Sequence, residues 1–402
     1  MRKQIRANAS IAPELTFRVA RNERELEAAY NILHDAYVEH GFMKPHPSEL
    51  RVTKYHALPS TSTLIALWGD DVVGTVSIIR DSPLGFPLDK IFDTSEIRKN
   101  GARLAEVSSL AIHKNFRGDR GAVLFPLMKY LFHYCADFFG VDCMVIAVNP
   151  SRIEFYEAIL GFRRLQEKNV DNYDFVNGAP AVGAFLPMRT GYEFFTRHKS
   201  TSDDPTNFYN FCTGVFEPAL DFPERNYKTV NDPVMTPMLL DYFFNQQTTV
   251  FQDLDQRERA IFAALYSHKT YRGVIPVSEN VSLLDLNRKE IRFEVQCKGR
   301  IIIPGSNRIV KMTVFDVSAT GFRARLESQI RFGSQMHMNI AVGDFEIADV
   351  VGHPIWENRD EQIYGFLITE SSENWKSFVA QLQKELHHAS RSIVPIALRE
   401  IS

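Results

Sequence analysis

The chain has 402 residues, 45% of them hydrophobic and 24% charged, which is too long for one ordinary domain and gives two or three domains cores of their own. A formal net charge of -3 excludes a global field that would draw the chain to nucleic acid or anionic lipid, so any anion site has to be local. Cys135, Cys143, Cys212 and Cys297 form no CxxC pair, the opening MRKQIRANASIAPELTF lacks the apolar region of a signal peptide, and no apolar run is long enough to cross a bilayer. A cytoplasmic protein is expected, with peripheral contact to the inner membrane face left open.

In chain order, Glu23 to Phe42 places Leu26, Tyr30, Leu33 and Tyr37 on one helical face. STLIALWGDDVVGTVSIIRDS reads as an antiparallel hairpin turning at Gly69-Asp70-Asp71. Leu104 to Lys114 alternates as a strand, LFPLMKYLFHYCADFF is an apolar helix, and Cys143 to Pro150 is a buried strand. SRIEFYEAIL follows as a short helix capped by Ser151 and closed by Gly161. This order makes residues 1–200 a mixed α/β domain. Lys199 to Asn207 is a polar loop, and helices around TPMLLDYFF and QRERAIFAALY make 201–286 a partly helical extension and linker. TPMLLDYFF suits core packing, an acyl channel or a membrane surface. From Asn287, six short strand patterns separated by turns predict a small antiparallel barrel over 287–402, with Ser372 to Leu386 as a closing helix.

The strongest N-terminal chemical signal is AEVSSLAIHKNFRGDRGAVLFPLMKYL. A strand running through an Arg/Gly turn into a helix points backbone N–H groups and the helix dipole at one spot, which suits a phosphate. Arg117 and Arg120 add charge-assisted donors there; a solvated charged turn is the plainer alternative. Thirty phenylalanines suit either an acyl-chain pocket or large apolar cores. His113 and His387-His388 lack any metal-ligand spacing, so no metal is expected.

Strand, R-G-x-x-G-A turn, helix, then N-P-x-x-x-x-F-Y-x-x-x-x-G-F from Asn149 to Phe162 resembles the core of the GNAT acyltransferases. E-V-S-S-L-A-I narrows the resemblance to N-acyl amino acid synthases of the FeeM type, relatives of the homoserine lactone synthases, over roughly the first half of the chain. The resemblance implies that an acyl thioester of phosphopantetheine lies between two splayed strands, Val107 to Ile112 and Val145 to Val148. Val107, Leu110, Ile112 and Asn149 would contact the arm, and Arg117, Arg120, Gly121 and Ala122 its phosphate. Glu106 would take the proton of the attacking amine and Tyr156 would protonate the leaving thiolate. Alternatively, Glu106 is a strand carboxylate paired with Arg103, and Tyr156 packs its ring beside Phe162.

Two departures from the family pattern bear on substrates. The step from Arg117 to Gly121 and Ala122 is one residue longer than R-x-x-G-x-G/A, and Pro126 predicts a late or kinked helix start. Both fit an acyl carrier protein better than coenzyme A, with Lys114, Arg117 and Arg120 docking the acidic carrier. Ser109 stands where the family often has arginine, which leaves the amino-acid-like acceptor undefined.

In the last quarter of the chain, N-R-K-E-I-R-F carries Arg288 and Arg292, and D-V-S-A-T-G carries Asp316, Ser318 and Gly321. Together they resemble the R-x-x-x-R and D/N-x-S-x-x-G motifs of PilZ domains, which bind cyclic di-GMP. The ligand's chemistry agrees: arginine grips phosphate and guanine edges, Asp316 accepts from guanine, Ser318 donates to phosphate, and Gly321 lets backbone approach closely. The expected fold is thus a GNAT-like α/β domain plus a PilZ-like antiparallel β-barrel. The expected function is acyl transfer to an amine under cyclic di-GMP control. A homoserine lactone-type synthase and a non-catalytic cyclic di-GMP effector are the alternatives.

Overall fold

A computed structural model describes residues 11–98, 102–118, 121–199, 207–214, 218–223, 235–266, 269–276, 290, 292–303, 305, 308–331, 333–343, 345–359 and 362–391. The chain divides into two compact units, 1–222 with 238–261, and 223–237 with 262–402.

The first unit begins with strand β1 (Leu15–Val19) and helix α1 (Glu23–Glu39). Asn22 caps α1 by accepting from the Glu25 N–H at 3.0 Å, and Leu26, Tyr30 and Leu33 form the buried stripe that the periodicity predicts. The predicted hairpin is β2 (Thr61–Trp68) and β3 (Asp71–Arg80), followed by the single turn α2 (Ser95–Arg98) and β4 (Leu104–Ile112). Helix α3 (Leu124–His133) starts where LFPLMKYLFH does, without the delay expected from Pro126. The proline falls in the first turn, and the helical bonds on either side of it, Phe125 N–H to the Gly121 carbonyl at 2.9 Å and Leu127 N–H to the Val123 carbonyl at 3.2 Å, are made. A π-helical turn, Tyr134–Phe138, carries the chain on toward β5 (Cys143–Val148).

Helix α4 (Ile153–Ala158) is preceded by a 3-10 turn, Pro150–Arg152, whose cap is Asn149 rather than Ser151. Asn149 Oδ1 accepts from the Ser151 N–H at 3.0 Å and from its hydroxyl at 2.8 Å. Strands β6 (Arg163–Arg164), β7 (Val170–Tyr173) and β8 (Ala179–Pro187) complete one sheet in the order β1-β2-β3-β4-β5-β8-β6, with β7 on β8. Helices α5 (Met188–His198), α6 (Phe208–Thr213) and α7 (Pro237–Asp241) follow, and α8 (Gln256–Leu265) comes later in the chain. Within this unit Phe195, Phe208 and Phe211 join the hydrophobic core, and Leu220 bridges Phe17 of β1.

The second unit is built on a closed barrel of six antiparallel strands, ordered β10-β11-β14-β13-β12-β9. These are β9 (Phe293–Ile302), β10 (Ile309–Val317), β11 (Gly321–Leu326), β12 (Met336–Ala341), β13 (Ile347–Asn358) and β14 (Ile363–Ser371). All six occupy the predicted segments because inward apolar residues alternate with exposed ones, as Val310, Met312 and Val314 do on β10. Helix α9 (Glu373–Arg391) puts Trp375, Phe378 and Val379 into the barrel core.

Gly321 is not a left-handed turn residue. It is glycine because a Cβ would lie 2.5 Å from the Phe366 carbonyl oxygen on the paired strand. That neighbour is backbone and cannot swing aside. Gly321→Ala is therefore expected to destabilise the barrel by about 2 kcal/mol, read as a lowered urea midpoint. An unchanged midpoint would contradict the close approach.

Candidate active site

Among the described strands, β4 and β5 are the one parallel pair in the sheet, and their ladder has three rungs: Leu104↔Cys143, Ala105↔Met144 and Glu106↔Val145. Beyond Glu106, β4 keeps its bonds to β3 alone, and even there the register shifts. Ser77 faces Ser108 and Thr75 faces Ala111, so Ser109 and Leu110 together stand opposite Val76. Ser109 takes up the extra residue with φ of 57°, a left-handed conformation that a side chain pays for. The bulge lies three residues beyond the last β4–β5 rung, in the stretch where the two strands have parted.

The gap is a cleft of about 570 Å3. It brings together Glu106, Val107, Leu110 and Ile112 from β4, Arg117, Asn149 and Tyr156. Among the sequence candidates, Gly121 and Ala122 do not line it. Arg120 lies outside the described residues. A second, apolar pocket of about 60 Å3 lies against it, walled by residues that include Leu127, Met144, Phe162, Phe195 and Phe208. The two spaces share Val107, Leu110, Ile146 and Tyr156 as a common wall.

Glu106 is only 2% exposed, and Arg103, its suggested surface partner, pairs with Asp142 instead (Nε to Oδ2, 2.9 Å). The Glu106 carboxyl accepts one hydrogen bond, from the Leu88 N–H at 3.1 Å. Burial, reinforced by the charge of Asp89 and opposed by that bond, pushes its pKa up to about 8. It is thus mostly a neutral acid at pH 7 and becomes a base just above it.

Tyr156 packs edge-on against Phe162 (5.6 Å between centroids, 89°) while lining the cleft, so the packing role and the site position coexist. Burial pushes its hydroxyl up to about 12, with the Tyr37 side chain adding and Arg152 opposing, so it stays protonated at neutral pH. Arg117 is spoken for: its Nε donates to the Ile112 carbonyl (2.7 Å) and its Nη1 to Glu39 (2.5 Å). A phosphate at this turn has to compete with Glu39.

In the barrel unit, Arg292 and Arg323 both donate to the buried carboxylate of Asp316. Arg323 is absent from the sequence expectation, yet the β10–β11 register places it directly opposite Asp316. Ser318 turns inward, its N–H and hydroxyl both donating to the Gly321 carbonyl at 2.7 and 3.2 Å. Arg288 lies outside the described residues.

Residues 28–187 match the model of the family described as N-acyl amino acid synthase FeeM. The N-terminal part of the chain therefore carries an acyltransferase domain, and its fold is α/β. The solved structures similar to the chain include the following three. FeeM, an N-acyl amino acid synthase from uncultured soil microbes, is 26% identical, covering 45% of this chain and 95% of its own (TM-score 0.39). BjaI, a CoA-dependent acyl-homoserine lactone synthase, is 19% identical, covering 50% and 99% (TM-score 0.35). The spermidine N-acetyltransferase of Vibrio cholerae is 16% identical, covering 45% and 99% (TM-score 0.32). No curated protein matches. No described helix is long and apolar enough to cross a membrane.

The raised pKa of Glu106 makes a stability prediction with a definite sign. Unfolded, the carboxyl titrates near 4.5; folded, near 8. The protonated form favours the fold, so this contribution is whole below 4.5 and is lost as pH rises to about 8. Glu106→Gln removes the dependence. The variant should gain on wild type by on the order of 1 kcal/mol per pH unit between pH 5 and 8, measured by denaturant titration. Parallel stability curves across that window would place Glu106 in a solvated environment.

Proposed function

We propose that this protein moves a fatty acyl group from an acyl carrier protein thioester to the amine of an amino acid or related small amine, and that its C-terminal barrel binds cyclic di-GMP and regulates the transfer. The shared wall carries the first half of this reading. Val107, Leu110, Ile146 and Tyr156 border both the polar cleft holding Glu106 and the apolar pocket beside it. A thioester lying along that wall has its carbonyl near the acid–base pair and its tail out of water.

The amine nitrogen attacks the thioester carbon while its proton passes to ionised Glu106. The oxyanion would be stabilised by backbone amides of β4 on the side where its ladder to β5 has ended. Collapse expels the thiolate, which takes the Tyr156 proton, and amide and free thiol leave. The proton on Glu106 is then released to solvent and Tyr156 is reprotonated. The longer arginine–glycine spacing supports a single-phosphate carrier arm over coenzyme A. Arg117, Asn149, Gly121 and Ala122 would frame that arm, with Arg120.

Mass spectrometry of reactions containing dodecanoyl carrier protein or dodecanoyl-CoA and the twenty amino acids tests the enzyme. An N-dodecanoyl amino acid is expected, made faster from the carrier. Glu106→Gln should lower turnover by roughly a hundredfold or more, and Tyr156→Phe by roughly tenfold or more. A lactone derived from S-adenosylmethionine would reassign the chain to lactone synthesis, and no thioester binding would leave it a non-catalytic effector.

Cyclic di-GMP recognition is supported by the cluster at Arg292, Asp316 and Arg323, beside Ser318 and Gly321. The two arginines already meet at one carboxylate, so a dianionic ligand exchanges an ion pair for phosphate contacts. Calorimetry should show binding that Arg292→Ala weakens by roughly tenfold or more and that Arg288→Ala with Arg292→Ala abolishes. Binding that survives the double substitution would refute the site. Binding that leaves turnover unchanged would refute only the regulation.

A further inference from the structure

Arg51 is a cation in the wrong place for a structural role. It is 7% exposed, and among the described residues no carboxylate pairs with it. Its Nη2 donates to the Phe175 carbonyl at 2.9 Å, and its Nη1 reaches the Met43 sulfur at 3.8 Å. Its guanidinium lies over the Tyr37 ring at 3.9 Å and near the Phe175 ring at 5.2 Å. Its Nε is buried with no partner. Burial pulls its pKa below the usual guanidinium value, and the groups opposing that pull are tyrosines, not acids. Aromatic faces offset part of the cost of a buried cation, but an anion offsets far more.

The rings beside it, Tyr37 and Phe175, line the 570 Å3 cleft, and so does Tyr173. Tyr173 repeats the anomaly: its hydroxyl is buried without a hydrogen-bond partner. It also lies within electrostatic reach of both Glu106 and Arg51. Glu106 and the unpartnered Tyr173 hydroxyl thus line the cleft, and the Arg51 guanidinium, its Nε unpartnered, packs against the Tyr37 and Phe175 rings that line it too. We propose that Arg51 and the Tyr173 hydroxyl receive the carboxylate of the acceptor, so that the cleft selects amino acids over amines lacking a carboxylate. This rests on the acyl-transfer reading and supplies the charge that Ser109 does not. The acceptor's amine then faces Glu106, and its carboxylate turns an uncompensated cation into a buried, hydrogen-bonded ion pair.

Calorimetry on the full chain with N-dodecanoylglycine and N-dodecanoylglycinamide tests this directly, because the two differ at the carboxylate alone. Wild type should bind the acid at least about tenfold tighter than the amide. Arg51→Gln should bring the ratio near one by weakening the acid, with the amide unchanged, and Arg51→Lys should keep part of it. Tyr173→Phe keeps the packed ring and deletes an unpaired buried hydroxyl. It should narrow the ratio several-fold while melting no lower than wild type, a combination that a structural role does not produce. Equal wild-type affinities, or a ratio that survives both Arg51→Gln and Tyr173→Phe, would overturn the proposal. A loss of affinity for dodecanoyl carrier protein in place of the acid would assign the arginine to the donor and overturn it too. If Arg51→Gln fails to fold, Tyr173→Phe decides alone. The acyl-transfer reading fails separately, if wild type makes no amide from any thioester and amino acid, whatever the ratio shows.

Discussion

The site exists because β4 and β5 pair for three residues and then part. Had the parallel ladder continued, it would have filled the space between the strands with backbone hydrogen bonds and left no cleft. The parted stretch of β4 carries the bulge, the two residues Ser109 and Leu110 set against Val76 of β3. Ser109 accepts a backbone conformation that glycine would adopt more readily. Strain of this kind persists only where the surroundings enforce it, and here the eight-stranded sheet holds both ends of the bulged strand.

Glu106 sits at the last rung before the strands separate, so it is fixed by the ladder on one side and open to the cleft on the other. The segment through Leu88 and Asp89 closes over it. Leu88 gives it one N–H, while Asp89 adds like charge and is itself held by Arg98 and Thr94. A carboxyl with one donor and no cation is expensive to ionise, and that expense is what brings its proton affinity near the working range of a general base. Arg51, packed against the Tyr37 and Phe175 rings of that cleft, has the opposite defect, a buried cation whose Nε lacks a partner. Under the proposed acceptor site, one zwitterionic amino acid would answer both groups.

Much of the architecture was legible in the sequence because it obeys simple periods. The six barrel strands alternate, α1 repeats every three to four residues, and Gly69-Asp70-Asp71 marks its turn. Glu106 and Tyr156 were legible through a family pattern, and the structure puts both on one cleft. What escaped the sequence depends on tertiary placement. Arg51 lies in a loop with no motif, and its neighbours Tyr37, Tyr173 and Phe175 come from distant segments. Ser109 gives no sign of a left-handed backbone, since the residue type rarely adopts one. Arg323 needed the β10–β11 register to meet Asp316, and β6 and β7 are too short and polar to announce themselves. Asn149 displaced Ser151 as cap because its carbonyl reaches forward two residues to both Ser151 donors.

The apolar pocket has a consequence for the order of events after chemistry. Its walls are mostly Leu, Met, Phe, Val and Ile side chains, while the cleft that meets it carries the polar groups Glu106, Arg117 and Asn149. The product of the proposed reaction, formed along their shared wall, would be a detergent: one end anionic, the other hydrocarbon. Its head can leave as soon as the amide forms, but its tail must cross from oil to water at about 0.8 kcal/mol per methylene, roughly a fourfold slowing for each carbon added. Departure, rather than bond making, then sets the pace for long chains. A bilayer or a lipid-binding partner at the mouth of the cleft would act as an extractor, drawing product out without ever exposing its tail.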